Sequence, residues 1–246
     1  MHIVAHRGVT DKAPENTMPA FERALDLGAD AIECDVRLTR DGVPVIANPV
    51  SFAGAAALRG PISAYTLDEL RGDALYEMPT LTDVLDRFAG HIGLEIHVKV
   101  GEMQSVAVVA ATLQPYQRHW ESIEVTSYEA TDLREIGKRC PRLATDLLLP
   151  RTEPRMSPMD IAFLAIHRAH EVTAETKRVR AVHLHPTQLL PETVAAIRAA
   201  GFDVQAWDVN DRAALDTVSA LGILRICTDR LVEALDYRHR HGILDS

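Results

Sequence analysis

Glu33 and Asp35 stand two residues apart in an otherwise apolar run, Ala31–Leu38. In an extended strand that spacing sends both side chains out of one face. Two carboxylates turned into a protein interior repel each other unless a cation sits between them. An open pair of this kind suits a hard divalent ion such as Mg²⁺ or Ca²⁺. The plainer reading is that both acids flank the strand's exposed end and meet only water, and spacing alone does not separate the two. Glu95, His97 and Lys99 repeat the same period. Glu95 and Lys99 could form an interior salt bridge. Alternatively, His97 or Glu95 joins a metal and Lys99 meets phosphate oxygens. His6-Arg7-Gly8 follows the first apolar run directly. An imidazole there can move a proton near neutral pH. Arg7 offers a planar fork for phosphate, and Gly8 permits close backbone approach. His183 and His185 share a further strand face; a packed role suits His183. His185, before Pro186, is the candidate for the mouth of a site.

The elements that must carry these residues alternate. Strands are expected at His2–Ala5, Ala31–Leu38, Leu94–Val98, Ile123–Thr126, Leu143–Leu149, Ala181–His185, Asp203–Val209 and Leu224–Thr228. Asn16 is expected to cap a helix that runs to Leu27 and stops at Gly28. Further helices are expected over Met103–Leu113, Glu129–Lys138, Met159–Glu171, Pro191–Ala200, Arg212–Leu221 and Leu231–His239. Eight strand–helix units in a chain of 246 residues fit one closed (β/α)₈ barrel spanning 1–246 better than an open sheet. Asp41–Leu81, rich in Gly, Ala and Pro, breaks the alternation after the second strand. It reads as a βα-loop insertion with short helices near Thr66–Leu70 and Leu81–Phe88. Such loops lie at the strands' C-terminal ends, where barrels build their sites.

The net charge of −9 and the absence of a basic stripe argue against a nucleic-acid partner. Cys34, Cys140 and Cys227 lack metal-ligand spacing and read as reduced, buried thiols. No apolar run approaches the roughly 18 residues of a membrane span, and the N-terminal residues read as no leader. A cytoplasmic protein without membrane insertion is therefore expected, its oligomeric state open.

The motifs AHRG (Ala5–Gly8), APENT (Ala13–Thr17), AFERALDLGAD (Ala20–Asp30), IECDV (Ile32–Val36) and LTRDGVPV (Leu38–Val45) follow one another in order. PISAYTLDELR (Pro61–Arg71), MPTLTDVLD (Met78–Asp86), VQAWDVND (Val204–Asp211) and ICTDR (Ile226–Arg230) complete the series. The ordered set resembles the glycerophosphodiester phosphodiesterase family over nearly the whole chain. The resemblance implies a barrel whose site uses a divalent metal and a small phosphodiester substrate, releasing glycerol 3-phosphate and an alcohol. It implies that His6 is one of two catalytic histidines and that Arg7 binds phosphate. Glu33 and Asp35 become metal ligands, Lys99 lies near the phosphate, Trp207 shapes the pocket, and Glu15 and Asn16 organise the first loop. His185 joins the substrate-binding candidates from its place at a strand end.

Two positions depart from the family pattern. The second catalytic histidine is replaced by Asn48, which cannot exchange a proton at neutral pH. A metal-ligand Glu on the third expected strand is replaced by His97, which brings no negative charge. That change opens Mn²⁺ or Zn²⁺ beside Mg²⁺ or Ca²⁺. The segment Phe52–Leu58 is also markedly apolar. The expectation is a metal-dependent phosphoric diester hydrolase. The alternatives are a pseudoenzyme that binds a phosphorylated ligand and a lyase that forms a cyclic phosphate.

Overall fold

A computed structural model describes residues 1–48, 60–73, 78–99, 103–151, 156–176 and 179–242. Among these residues, eight parallel strands close into a barrel, β1 (His2–Ala5), β2 (Ala31–Leu38), β4 (Gly93–Val98), β5 (Ile123–Ser127), β6 (Ala144–Leu148), β7 (Val179–Leu184), β8 (Asp203–Ala206) and β9 (Arg225–Thr228). Closure runs through β1, where Val4 lies opposite Ala31 of β2 on one side and Cys227 of β9 on the other. The helices are α1 (Met18–Leu27), α2 (Leu67–Asp73), α3 (Leu81–Phe88), α4 (Met103–Leu113), α5 (Ala130–Arg139), α6 (Pro158–Thr176), α7 (Pro191–Ala199), α8 (Arg212–Ala220) and α9 (Leu231–Arg240). The (β/α)₈ architecture expected from the alternation is the one observed.

The apolar core lies between strands and helices. Ile32, Cys34 and Val36 of β2 belong to it, as do Ile96, Val125, Val182 and Ile226 of other strands. Alternation then turns Glu33 and Asp35 to the barrel interior. The rings of Phe21 (α1) and Phe88 (α3) meet edge to face at 6.0 Å in the same layer. Full burial of each such side chain is worth roughly 1.5–3 kcal/mol.

The N-cap of α1 is Thr17, not Asn16. The Thr17 hydroxyl accepts from Ala20 N–H, and Gly28 ends the helix at φ 83°. Asn16 sits at φ 58° and spends its side chain elsewhere. The stretch after β2 also holds more than short helices. β3 (Pro44–Ile46) pairs antiparallel with Val36–Leu38 of β2. A short 3₁₀ turn spans Ile62–Ala64. Thr80 and Asp83 form a reciprocal capping box on α3. Val45, Ile62, Leu70 and Met78 make a separate small core. The apolar segment Phe52–Leu58 lies outside the described residues.

The barrel interior is charged rather than filled with aliphatic side chains. Deep in it, Arg225 Nη2 lies 2.5 Å from Glu124 Oε1 and 3.2 Å from Glu95 Oε2. Arg180 Nη2 reaches Glu124 Oε2 at 3.2 Å. Asp146 accepts backbone N–H bonds from Arg180 and Ala181 and a side-chain bond from Gln205. His183 stands 3.7 Å from both Glu95 and Asp146. Burial, joined by the charges of Glu95 and Asp146, pushes the Glu124 carboxyl well up against the pull of Arg225. Burial would raise Glu95 too, but His183 and Arg225 hold it down at about 2. The expected Glu95–Lys99 pair is not formed: Glu95 belongs to this floor, and Lys99 reaches Asp35 instead.

Candidate functional site

β1 ends at Ala5, and the chain turns sharply at the barrel mouth. Arg7 takes φ 55° and Gly8 φ 83°. A Cβ on Gly8 would come within 2.7 Å of the Ala20 backbone, so only glycine fits. Arg7, Asn16 and Asp208 are the non-glycine residues with positive φ among the described residues, and all three stand at this mouth. Side chains in that region of φ are uncommon, and strain of this sort gathers at functional sites.

Glu33 and Asp35 of β2 and His97 of β4 bring one ligand atom each to within 4.8 Å of one another. His97 Nδ1 lies 3.6 Å from Glu33 Oε1 and 3.6 Å from Asp35 Oδ1. All three are buried. Glu33 Oε1 and His97 Nε2 have no hydrogen-bond partner. Buried polar atoms are rarely left so, and a bound cation is one reason for an exception. Two carboxylates and one imidazole therefore fit a divalent metal, and these residues could hold it.

Cations ring the same carboxylates. Lys99 Nζ is 2.5 Å from Asp35 Oδ1, and Arg7 Nε is 2.8 Å from Asp35 Oδ2. Asn16 and Asn48 each donate an amide N–H to Asp35 Oδ2, at 3.1 and 3.2 Å. Burial would raise the Asp35 carboxyl, but Lys99, Arg7 and His97 hold it well below the usual carboxylate range. Arg7 also bonds Glu15 at 3.1 Å, and its backbone N–H donates to Glu33 Oε2. Asn48 is buried at this site with its amide bonded to Asp35.

His6 Nδ1 lies 2.7 Å from Asp229 Oδ1, while Nε2 lies 3.9 Å from Glu33 Oε2. Burial alone would lower its pKa. The Asp229 bond and the charge of Glu33 outweigh burial and raise it to about 9.

These groups surround a cavity of about 300 Å³, lined by His6, Arg7, Glu33, His97, Lys99 and Trp207 among others. Of the candidate site residues read from the sequence, Asp35 and His185 do not line it: Asp35 is buried beneath Lys99 and Arg7, to which it is bonded. His185 packs edge-on behind Trp207, with centroids 5.1 Å apart, and caps the 3₁₀ turn Pro186–Gln188 by accepting from Thr187 N–H. His183 lies in the floor, as a packed residue should. Glu95 touches the cavity but pairs with Arg225. Three lining or supporting groups were not singled out beforehand. Tyr128 lies edge-on to His97 at 5.2 Å, and its hydroxyl is pushed up to about 12 by burial and by Glu33 and Asp208. Asp208 and Asp229 sit within the motifs VQAWDVND and ICTDR, but only contacts across the fold give them partners.

A closed (β/α)₈ barrel with a metal-competent acid–histidine group and two cations at its strand C-termini suits metal-assisted chemistry on a phosphate ester. The profile of the glycerophosphoryl diester phosphodiesterase family matches residues 6–233. The chain belongs to that family. It is 27% identical over 242 residues to a glycerophosphodiester phosphodiesterase from Caldanaerobacter subterraneus subsp. tengcongensis, covering 92% of this chain and 93% of the relative. A glycerophosphodiester phosphodiesterase from Parabacteroides distasonis superimposes with a TM-score of 0.78 at 22% identity, covering 98% of each chain. A phosphodiesterase from Oleispira antarctica, solved in complex with the product sn-glycerol-3-phosphate, gives 0.76 at 21% identity and 97% coverage of each chain.

Proposed function

We propose that this chain is a divalent-metal-dependent hydrolase of glycerophosphodiesters or closely related small phosphodiesters. The observation that carries the reading is the group Glu33, Asp35 and His97, with Arg7 and Lys99 bonded to Asp35 and lining the same cavity. Glu33, Asp35 and His97 would hold the ion, which when bound supplies Lewis-acid polarisation of a phosphoryl oxygen and an acidified water. Mg²⁺ or Ca²⁺ is the first expectation from the carboxylates, and His97 keeps Mn²⁺ and Zn²⁺ open. Arg7 and Lys99 bind the phosphate and stabilise the charge that grows on it. Trp207 and Tyr128 shape the alcohol side of the pocket. His6, its Nδ1 held by Asp229, delivers a proton from Nε2 to the leaving oxygen. The 1–246 span acts as one domain, with 41–81 as an inserted βα-loop segment. A cytoplasmic place in lipid breakdown is part of this reading. The three cysteines are free and buried, which suits a reducing compartment, and no described helix is long and apolar enough to cross a membrane.

One observation favours a second reading. Asn48 bonds Asp35, and among the described lining residues only His6 and His97 offer an imidazole. If His97 holds metal, His6 is the one imidazole left among the described lining residues, and the site could bind a phosphorylated ligand without turning it over. The test is an assay of the metal-stripped protein against glycerophosphodiesters and bis(p-nitrophenyl) phosphate, with Mg²⁺, Ca²⁺, Mn²⁺ and Zn²⁺ restored one at a time. Metal-dependent release of glycerol 3-phosphate that His6→Ala abolishes is the expected result. A cyclic phosphate product would make the enzyme a lyase. No turnover in the native protein, with activity appearing in Asn48→His, would establish the pseudoenzyme.

A further inference from the structure

Two motif residues without an assigned part, Asn210 and Asp229, form a chain of bonds that ends on His6. Asn210 follows β8 and Asp229 follows β9. Asn210 Nδ2 donates to Asp229 Oδ2 at 2.6 Å, and the Asp229 backbone N–H returns a bond to Asn210 Oδ1 at 2.8 Å. Thr228 Oγ1 donates to the same Asn210 oxygen at 3.1 Å and accepts from Arg230 N–H at 2.9 Å. The Thr228 carbonyl accepts from His6 N–H at 3.0 Å. Asp229 is therefore fixed at both its backbone and its carboxylate before it meets the imidazole. Its remaining oxygen, Oδ1, meets His6 Nδ1 at 2.7 Å. With Nδ1 engaged, Nε2 is the nitrogen turned to Glu33 and the cavity.

We propose that Asp229, clamped by Asn210, is the positioning residue that fixes the ring of His6 so that Nε2–H points at the leaving oxygen of the bound diester. The inference rests on the hydrolase reading above. As the P–O bond to the alcohol breaks and the oxygen of water bonds to phosphorus, the leaving oxygen takes the Nε2 proton. The imidazole regains one from the water's products, so protons balance over a turnover. Among the described residues that line the cavity only His6 and His97 offer an imidazole, and His97 stands with the proposed metal ligands. A ring free to rotate would then cost more here than where two histidines share the work. A carboxylate that holds a histidine in one orientation is a general device for proton delivery.

The same geometry allows a rival. His6, Asp208 and Asp229 also bring ligand atoms within 4.8 Å of one another. In that case Asp229 would be a ligand and not an orienter. The leaving group separates the roles. An alkyl alcohol needs a proton to depart, whereas p-nitrophenolate does not. For Asp229→Asn in the metal-loaded enzyme, kcat on a glycerophosphodiester with an alkyl alcohol should fall by about 10²-fold, the scale of one general-acid contribution. KM should hardly move, and the loss on the p-nitrophenyl ester should be far smaller. Asp229→Glu should recover part of the alkyl activity, and Asn210→Ala should show the same selective loss in milder form. An equal loss on both esters, a change confined to KM, or one fewer bound ion per chain would overturn the proposal. A readout independent of turnover is the His6 Nδ1–H proton in ¹⁵N-labelled protein. It should appear far downfield in the native chain and vanish in Asp229→Asn. If it is unchanged in that variant, the proposal fails even where the hydrolase reading holds. If the native chain turns over neither ester, the hydrolase reading falls, and the resonance alone decides whether Asp229 orients the ring.

Discussion

The barrel interior holds two clusters of nearly the same composition. Glu33, Asp35 and His97 lie at the strands' C-terminal end, and Glu124, Asp146 and His183 lie deeper. Each joins two carboxylates to an imidazole, and every member is buried. They differ in what their oxygens already do. In the floor, Arg225 and Arg180 meet Glu124, and two backbone N–H groups and Gln205 meet Asp146. None of its carboxylate oxygens is among the buried, unpartnered atoms of the described residues, whereas Glu33 Oε1 is. Glu33 and His97 of the upper cluster line the cavity at the mouth, and Glu124, Asp146 and His183 do not. Ligand types and spacing are therefore insufficient to mark a metal site; vacant lone pairs and room for an ion decide it. The floor instead has guanidinium groups where an ion would otherwise sit, so its charges serve the barrel's structure.

The largest effect should come from breaking the floor. Arg225→Met leaves Glu95 and Glu124 without their shared cation and should cost about 3–5 kcal/mol of stability, the scale of an unpaired buried charge. Urea or thermal unfolding reads this loss, and metal binding by the surviving folded protein should be unchanged. Glu33→Gln should do the opposite. It removes an oxygen that lacks a partner, so stability should stay near that of the native chain. Turnover with saturating metal should fall about 10²–10³-fold, the usual cost of losing one preorganised charge-stabilising group. Asn48→His should raise turnover of alkyl diesters by up to about 10²-fold if the new ring reaches the leaving oxygen, with the Asp35 bond kept through its own N–H.

The smallest effect is a pH dependence confined to the upper rim. The pKa of His6 is raised from 6.5 to about 9, with Asp229 and Glu33 outweighing burial. Folding therefore favours the protonated ring. That contribution is complete below about pH 6.5 and is lost as pH rises through about 9. Asp229 is nearly half exposed, so the amount should be no more than about 1 kcal/mol. Thermal melts between pH 6.5 and 9.5 should show a small decline in the native chain that is absent in Asp229→Asn.

The barrel was legible in the sequence because parallel strands buried on both faces read as short apolar runs between helical patterns. For Glu33, Asp35 and His97 the period gave a shared face but left interior and exposed strand end both open; barrel closure, with Ile32, Cys34, Val36 and Ile96 packed in the outer apolar core, turns them inward. β3 was not legible, since three residues in an antiparallel pair carry no period. Asn16 looked like a helix cap because local spacing favours one. Its side chain instead turned to Asp35, a partner 19 residues away. His185 looked exposed at a strand end, and only the packing of Trp207 over it removed it from the cavity. The partnership of His6 with Asp229 spans 223 residues. No local signal could announce it, because barrel closure through β1 and β9 creates it.

The most direct measurement is a calorimetric metal titration of the stripped protein, comparing the native chain with Glu33→Gln and Glu124→Gln. If the ion belongs to the upper cluster, the native chain should bind one ion, Glu33→Gln should bind it far more weakly or not at all, and Glu124→Gln should bind it as the native chain does. Binding that survives in Glu33→Gln but disappears in Glu124→Gln would place the ion in the floor and contradict the assignment of Glu33, Asp35 and His97.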